Sequence, residues 1–428
     1  MIYRNAVKYI HSSPDASAIK PSAERMKLLL KYLDNPQKNL KYIRLAGSNA
    51  KTVCSRLMIS VLKEANVSSG CLNMPVKKEI KDNIIINGES VSMEECADLA
   101  TRVSIAVQQI NADLCSNDEE KKYFTPFVPT SSEIIIAMAL LAFKARKCAL
   151  CLIESDSSLP DPSKFLPPPF SAVICGTIPS NSKKEITKIR SYICHGIQEI
   201  VSAPQNNDAY HVISDTCFSI GCRLTIPSKS EAVIKKLSFY GTEFSYKTED
   251  YSLRLCGRFE VNNALVALET FEMLSRRGYS ITHDHVKKGL AKVSIPAKFE
   301  LLSSTPFIIA DSTHNPIAIE TVCESMTDFM ELTGNKVRLC LPEGEIIENY
   351  VNALTSRGYV IERIITLSPD GIQHEEQYGE ITKRSMKNTK SIAKEVLTDL
   401  NKDTLLLISG RFSFTSEVRY EVLANMNF

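Results

Sequence analysis

Leu45-Ala46-Gly47-Ser48-Asn49-Ala50-Lys51-Thr52 is the stretch around which the rest of the chain is arranged. The apolar run Tyr42 to Leu45 reads as a strand. Beyond the stretch, Cys54, Leu57, Met58, Val61, Leu62 and Ala65 recur at helical spacing. A strand therefore feeds a small-residue loop, and the loop opens a helix. Backbone N–H groups in the first turn of a helix lack intrahelical partners and point outward, a geometry that suits phosphate. Lys51 would neutralise phosphate charge, and the Thr52 hydroxyl would reach Mg²⁺. The general phosphate loop has two glycines, the second directly before its Lys. Here Leu45 and Ala50 hold those positions. If the backbone at Ala50 takes a positive φ, Ala there costs about 1 kcal/mol. Two readings fit the stretch, a nucleotide loop and an ordinary strand-to-helix turn with an exposed Lys.

Moving outward, 428 residues allow about two to four domains with sizeable cores. A formal net charge of +2 gives no push toward nucleic acid or a membrane surface. The 13 cysteines are scattered. Cys148 and Cys151 form a CxxC within an apolar strand, where positions three apart face opposite sides, and no zinc-spaced partner follows. Buried, reduced thiols in a cytoplasmic protein are expected. The N-terminus lacks the apolar core of a signal peptide. The longest apolar run, over 134–143, is about half a membrane span. Neither nucleic acid nor membrane is expected as a partner, and a monomer is expected.

Met26, Leu29, Leu30 and Leu33 mark an amphipathic helix stopped by Asp34-Asn35-Pro36. Ile84-Ile85-Ile86 before Asn87-Gly88 reads as a strand entering a hairpin, and a helix follows over about 92–110. Thr130 and Glu133 have capping-box spacing before a helix over 134–144. A buried strand over 148–153 ends in Glu154-Ser155-Asp156. A carboxylate there suits Mg²⁺ at an α/β nucleotide site, although strands commonly emerge into acidic loops. Further along come a strand over 172–175 and a short helix over 186–193. The segment 224–255 reads as a small antiparallel patch. A helix over 261–277 ends at Gly278, and Thr282 caps another. From Phe307 onward, strands over 307–310, 337–341, 360–366 and 404–409 alternate with helices, the pattern of a doubly wound domain. The expected fold class is α/β, with a P-loop-type nucleotide-binding domain over 1–296 and a smaller Rossmann-like domain over 297–428. Ile295-Pro296-Ala297 is the linker between them.

The order of motifs resembles the folylpolyglutamate synthase/dihydrofolate synthase family, within the Mur ligase superfamily, across nearly the whole chain. Gly47-Ser48-Asn49-Ala50-Lys51-Thr52-Val53 is similar to that family's Gly-Thr-Asn-Gly-Lys-Gly-Ser. Glu24-Arg25, Asn35-Pro36-Gln37, Ile86-Asn87-Gly88 and Val201-Ser202-Ala203-Pro204-Gln205 also resemble family segments. Gly257 and Asn263-Ala264 match Gly-x-His-Gln-x-x-Asn-Ala. Pro296, Lys298, Phe299 and Glu300 resemble Trp-Pro-Gly-Arg-Phe-Glu. Asp311, His314, Asn315 and Pro316 match Asp-Gly-Ala-His-Asn-Pro, and the segment 409–419 resembles the family's close.

The resemblance implies an ATP- and Mg²⁺-dependent ligase. Such enzymes phosphorylate a folate or pteroate carboxylate, and the amine of glutamate then displaces phosphate. It assigns nucleotide contacts to Gly47, Ser48, Asn49, Ala50, Lys51, Thr52, Asn263, Lys298 and Asp311. Metal contacts go to Thr52 and Glu154, and catalytic roles to Asp311 and His314. Departures fall on the metal machinery. Met74-Pro75-Val76 replaces Ser-Pro-His, residues 176–181 lack an Asp-His, and Phe259-Glu260 replaces His-Gln. Arg190 aligns with a lysine that is carbamylated in relatives, and a guanidinium forms no stable carbamate. The alternative is a weak or inactive pseudoenzyme that keeps the fold for nucleotide or folate binding, or for partner regulation.

Overall fold

The computed structural model describes residues 1–47, 50–116, 126–155, 162–178, 183–193, 196–344 and 346–426. Two compact units emerge, one from 1–230 with 262–292, the other from 231–261 with 293–428. The chain crosses between them near 230, 261 and 292. The patch over 231–261 therefore belongs to the second unit, ahead of the Pro-containing linker.

In the first unit the described strands are β1 (Tyr42–Ala46), β2 (Ser69–Leu72), β3 (Ile84–Ile86), β4 (Glu89–Ser90), β5 (Leu150–Glu154), β6 (Ser171–Ile174), β7 (Glu199–Ser202) and β8 (Arg223–Thr225). They form one sheet in the order β4-β3-β2-β5-β1-β6-β7-β8. From β2 to β8 all neighbours are parallel, and the β3–β4 hairpin adds an antiparallel edge. Parallel strands are covered on both faces, so they read as apolar runs rather than alternations. β1, β5 and β6 are buried at every position.

The helix Ala23–Tyr32 stops where Asp34 and Asn35 take left-handed φ values of 59° and 47°. The Thr130–Glu133 capping box forms as the spacing predicts, opening the helix Ser131–Ala145. Glu133 does more than cap. Fully buried, it also takes Nε of Arg25 at 2.6 Å, Nη2 of Arg25 at 2.9 Å and the backbone N–H of Ser22 at 2.9 Å. A buried charge is tolerated only when paired and bonded in this way, which explains why Glu24-Arg25 stands where it does. Cys148 lies in the turn before β5 rather than within a strand, and its thiol meets that of Cys151. Strand alternation does not apply across that turn. The described cysteines are free thiols. Among the described residues no helix is long and apolar enough to cross a membrane.

In the second unit β9 (Ala232–Ser238), β10 (Gly241–Tyr246) and β11 (Glu249–Leu253) make the antiparallel patch. Phe239 at its edge stacks on Phe329 at 4.1 Å between centroids. Beyond the linker lie β12 (Glu300–Ser304), β13 (Phe307–Asp311), β14 (Lys336–Pro342), β15 (Val360–Leu367), β16 (His374–Tyr378), β17 (Ile381–Met386) and β18 (Thr404–Ser409). Their order is β12-β13-β18-β14-β15-β17-β16, with parallel pairing from β13 to β17. The doubly wound expectation holds. Antiparallel β12 and β16 at the edges were not legible, because short polar strands carry no apolar run.

Candidate nucleotide and ligase site

β1 and β5 pair in parallel with Leu45 opposite Glu154, so the Gly47 turn and the Glu154 carboxylate share one end of the sheet. In open parallel sheets that carboxyl end is where ligands gather. Gly47 sits at φ +117°, and a Cβ there would lie 2.2 Å from the Cys175 carbonyl oxygen. Only glycine fits. Ala50 adopts φ 63°, ψ −3° as the N-cap of the helix Lys51–Glu64, so the positive φ anticipated from the loop pattern is present and borne by an alanine. The Lys51 ammonium folds back and donates to the Gly47 carbonyl at 2.7 Å. That bond closes the loop on itself and leaves further ammonium protons available to an anion. Ser48 and Asn49 lie outside the described residues.

Glu154 is fully buried. One carboxylate oxygen accepts from the Ser55 hydroxyl at 2.9 Å and the other from the Met74 N–H at 3.1 Å. Burial raises its pKa above the ordinary value. The Met74 N–H, the Ser55 hydroxyl, Lys51 and Lys77 pull against that rise. Ser55 follows Thr52 by one helical turn, and its hydroxyl also reaches the Thr52 carbonyl at 3.0 Å. Sequence reading passed over Ser55, although i, i+3 spacing from Thr52 on a helix was the available signal. A carboxylate has about four lone-pair positions, and two on Glu154 are taken. The Glu154 carboxylate and the Thr52 hydroxyl are oxygen donors of the kind Mg²⁺ takes. Among the described residues no group of three or more His, Cys, Asp or Glu side chains forms a metal cluster.

The loop after β6 is stapled by Gln205, which accepts from the Ile178 N–H at 2.9 Å and donates to the Gly176 carbonyl at 3.0 Å. The segment 201–205 singled out in the sequence thus holds the loop in which an Asp-His is lacking. Arg190 is exposed on the helix Lys183–Tyr192. Asn263 is buried on the helix Arg258–Arg276.

The second unit gathers its own predicted residues at the end of β13. Asp311 is 1% exposed. Its two oxygens accept the Phe299 N–H and the Thr313 N–H, both at 2.8 Å. Asp311, expected to meet nucleotide, ties the Lys298–Glu300 turn to the loop that precedes the helix Pro316–Thr327. Arg419 closes the same turn by gripping Glu300 with two bonds of 2.6 Å. Lys298 is half-buried and His314 exposed. Asn315 caps the helix and Pro316 occupies its first turn.

One α/β unit thus carries a phosphate-suited turn beside a buried carboxylate, and a second unit is doubly wound. No family model matches the chain. It is 23% identical to the dihydrofolate synthase/folylpolyglutamate synthase of Bacillus subtilis (strain 168), over 97% of this chain and 98% of that one. It is 24% identical to the folylpolyglutamate synthase of Lacticaseibacillus casei, over 74% of this chain and 75% of that one. The solved folylpolyglutamate synthetase from Lactobacillus casei superposes with a TM-score of 0.78 at 21% identity, covering 99% of this chain and all of that one. An FPGS–AMPPCP–folate complex superposes at 0.79 with 19% identity, covering 99% of this chain and all of that one. The chain is thus similar, at low identity and over most of its length, to folylpolyglutamate synthases and dihydrofolate synthases.

Proposed function

We propose that this protein binds ATP at the Gly47–Thr52 loop and joins a folate or pteroate carboxylate to the amine of glutamate. The observation that carries the reading is the Lys51-closed turn beside Glu154 at the carboxyl end of the sheet. A named relative that binds AMPPCP and folate supports the substrate class. Lys51 and the N–H groups of the first helical turn would hold phosphate. Mg²⁺, held by Thr52 and Glu154, would supply Lewis-acid charge neutralisation on the phosphates. Asn263, Lys298 and His314 would contribute nucleotide or acyl-phosphate contacts. Asp311 would fix Lys298 through the Phe299 N–H.

A second reading concerns turnover, and Arg190 favours it. An exposed guanidinium where relatives carry a carbamylated lysine supplies no anion for a second metal. On that reading the protein binds nucleotide and folate but ligates slowly. ADP release and product formation from dihydropteroate or tetrahydrofolate, ATP and glutamate, beside a Lys51→Ala control, separate the two. Turnover of ~1 s⁻¹ or faster, lost in Lys51→Ala, supports the ligase. ATP binding without product supports the second reading. Equal ATP binding by wild type and Lys51→Ala refutes both.

A further inference from the structure

The helix Ala23–Tyr32, the turn that leads into β1 and the segment that leads into β6 bound a groove of about 460 Å³. Lys27 lines it from the helix, Lys38 from the turn and Lys164 from the segment before β6. All three lysines are exposed, and among the described residues none of them forms an ion pair. Gln37 and Asn39 add amide groups, and residues 165–167 form an apolar wall. Among the described residues no acidic side chain lines the groove. Glu24, three positions before Lys27, lies within the field of Lys27 and Lys164 and offsets part of it, but one of its oxygens already accepts the Ser22 hydroxyl at 3.1 Å. Lys31 continues the cationic row one turn further along the same helix face.

The groove is separate from the nucleotide site. The amino ends of β1 and β6 lie side by side, with Ile43 opposite Ser171. The residues that lead into these two strands therefore meet at the amino end of the sheet, whereas the Gly47 turn and Glu154 share its carboxyl end. The five residues of β1 separate the two, a span of roughly 15 Å.

Ammonium groups gathered without carboxylates repel one another, and an anion that bridges them relieves the repulsion. Each is a point charge that imposes no fork geometry, so the three suit carboxylates strung along a flexible chain. A groove of this volume holds a small organic molecule. A γ-linked glutamate oligomer matches it group by group. Each residue offers a free carboxylate to the lysines and two methylenes to the wall at 165–167, and the linkages between residues offer amides to Gln37 and Asn39.

We propose that this groove binds the carboxylates of an oligo-γ-glutamate chain, the tail that repeated glutamate addition builds. The identity of the chain rests on the ligase reading given under the proposed function. Bound there, a tail of several glutamates gains affinity that a single glutamate lacks.

The test is calorimetry on the full chain with γ-linked triglutamate, with glutamate and with inorganic triphosphate. The proteins are wild type, Lys38→Met, Lys164→Met and the triple variant Lys27→Met/Lys38→Met/Lys164→Met. A thermal melt of each confirms folding, and AMPPCP titrations report separately on the Gly47–Thr52 loop. Wild type should bind triglutamate at least tenfold more tightly than glutamate. Each single variant should weaken triglutamate about threefold, the scale of an exposed ion pair, and the triple variant roughly tenfold or more. AMPPCP affinity should stay unchanged in all of them. Triglutamate bound no better than glutamate, or bound equally by the triple variant, overturns the inference and leaves the nucleotide site standing. Triphosphate bound as tightly as triglutamate, with the same losses, shows a site that reads charge alone and overturns the assignment to a glutamate chain. Triglutamate binding that the triple variant loses supports the groove even where AMPPCP fails to bind wild type, in which case the ligase reading alone falls.

Discussion

Replacing Gly47 by alanine probes the geometry on which the site depends. The added Cβ would lie 2.2 Å from the Cys175 carbonyl oxygen, whereas comfortable non-bonded contacts fall near 3.5 Å. Either the loop or the end of β6 must move by about 1 Å. Overpacking of this kind costs roughly 1–3 kcal/mol. The φ of +117° adds roughly 1–2 kcal/mol for a residue with a Cβ. Together these predict about 3 kcal/mol, a fall of roughly 6–12 °C in Tm for a unit of this size. Gly278→Ala is the matched control. It also has a positive φ, +86°, but a Cβ there meets nothing within 4 Å, so it should show only the backbone part. Differential scanning calorimetry gives the two shifts, and ATP titration of Gly47→Ala should show binding weakened at least tenfold, because the N–H groups of the loop lose their alignment. If Gly47→Ala melts within about 2 °C of wild type and binds ATP equally well, the turn is not built as described.

Two further outcomes follow from the buried carboxylates. Asp311→Asn keeps one acceptor oxygen but turns an amide toward a backbone N–H, so urea unfolding should show a loss of about 1–3 kcal/mol at unchanged m-value; an unshifted midpoint would mean that Asp311 clamps nothing. Burial raises the Glu154 pKa above its unfolded value, so its contribution to stability is fully present below the unfolded value and is lost as pH rises through the folded one. Glu154→Gln cannot ionise, and its urea midpoint should therefore fall less than that of wild type between about pH 4 and pH 8; parallel curves would contradict the assigned shift.

Much of this protein is legible in its sequence because the relevant signals are local. The helix after the Gly47 loop, the Thr130–Glu133 capping box and the Asn87-Gly88 hairpin all follow from side-chain periodicity and turn chemistry within a few residues. The alternation after Phe307 is sufficient to indicate the doubly wound unit. The order of short motifs pointed to the family. What the tertiary structure alone decided depends on residues far apart in the chain. That Gly47 is required follows from the position of Cys175, just past the end of β6. That Glu154 is held by Ser55 and by the Met74 N–H follows from the pairing of β2 with β5, which brings two distant loops to one sheet end. Asp311 reads in sequence as a reactive carboxylate, and only the fold shows that two N–H groups from separate turns converge on it. A one-dimensional pattern records which face a side chain takes within its own element, but the partner that gives a buried charge its role is set by strand order and loop closure, and these are properties of the assembled fold.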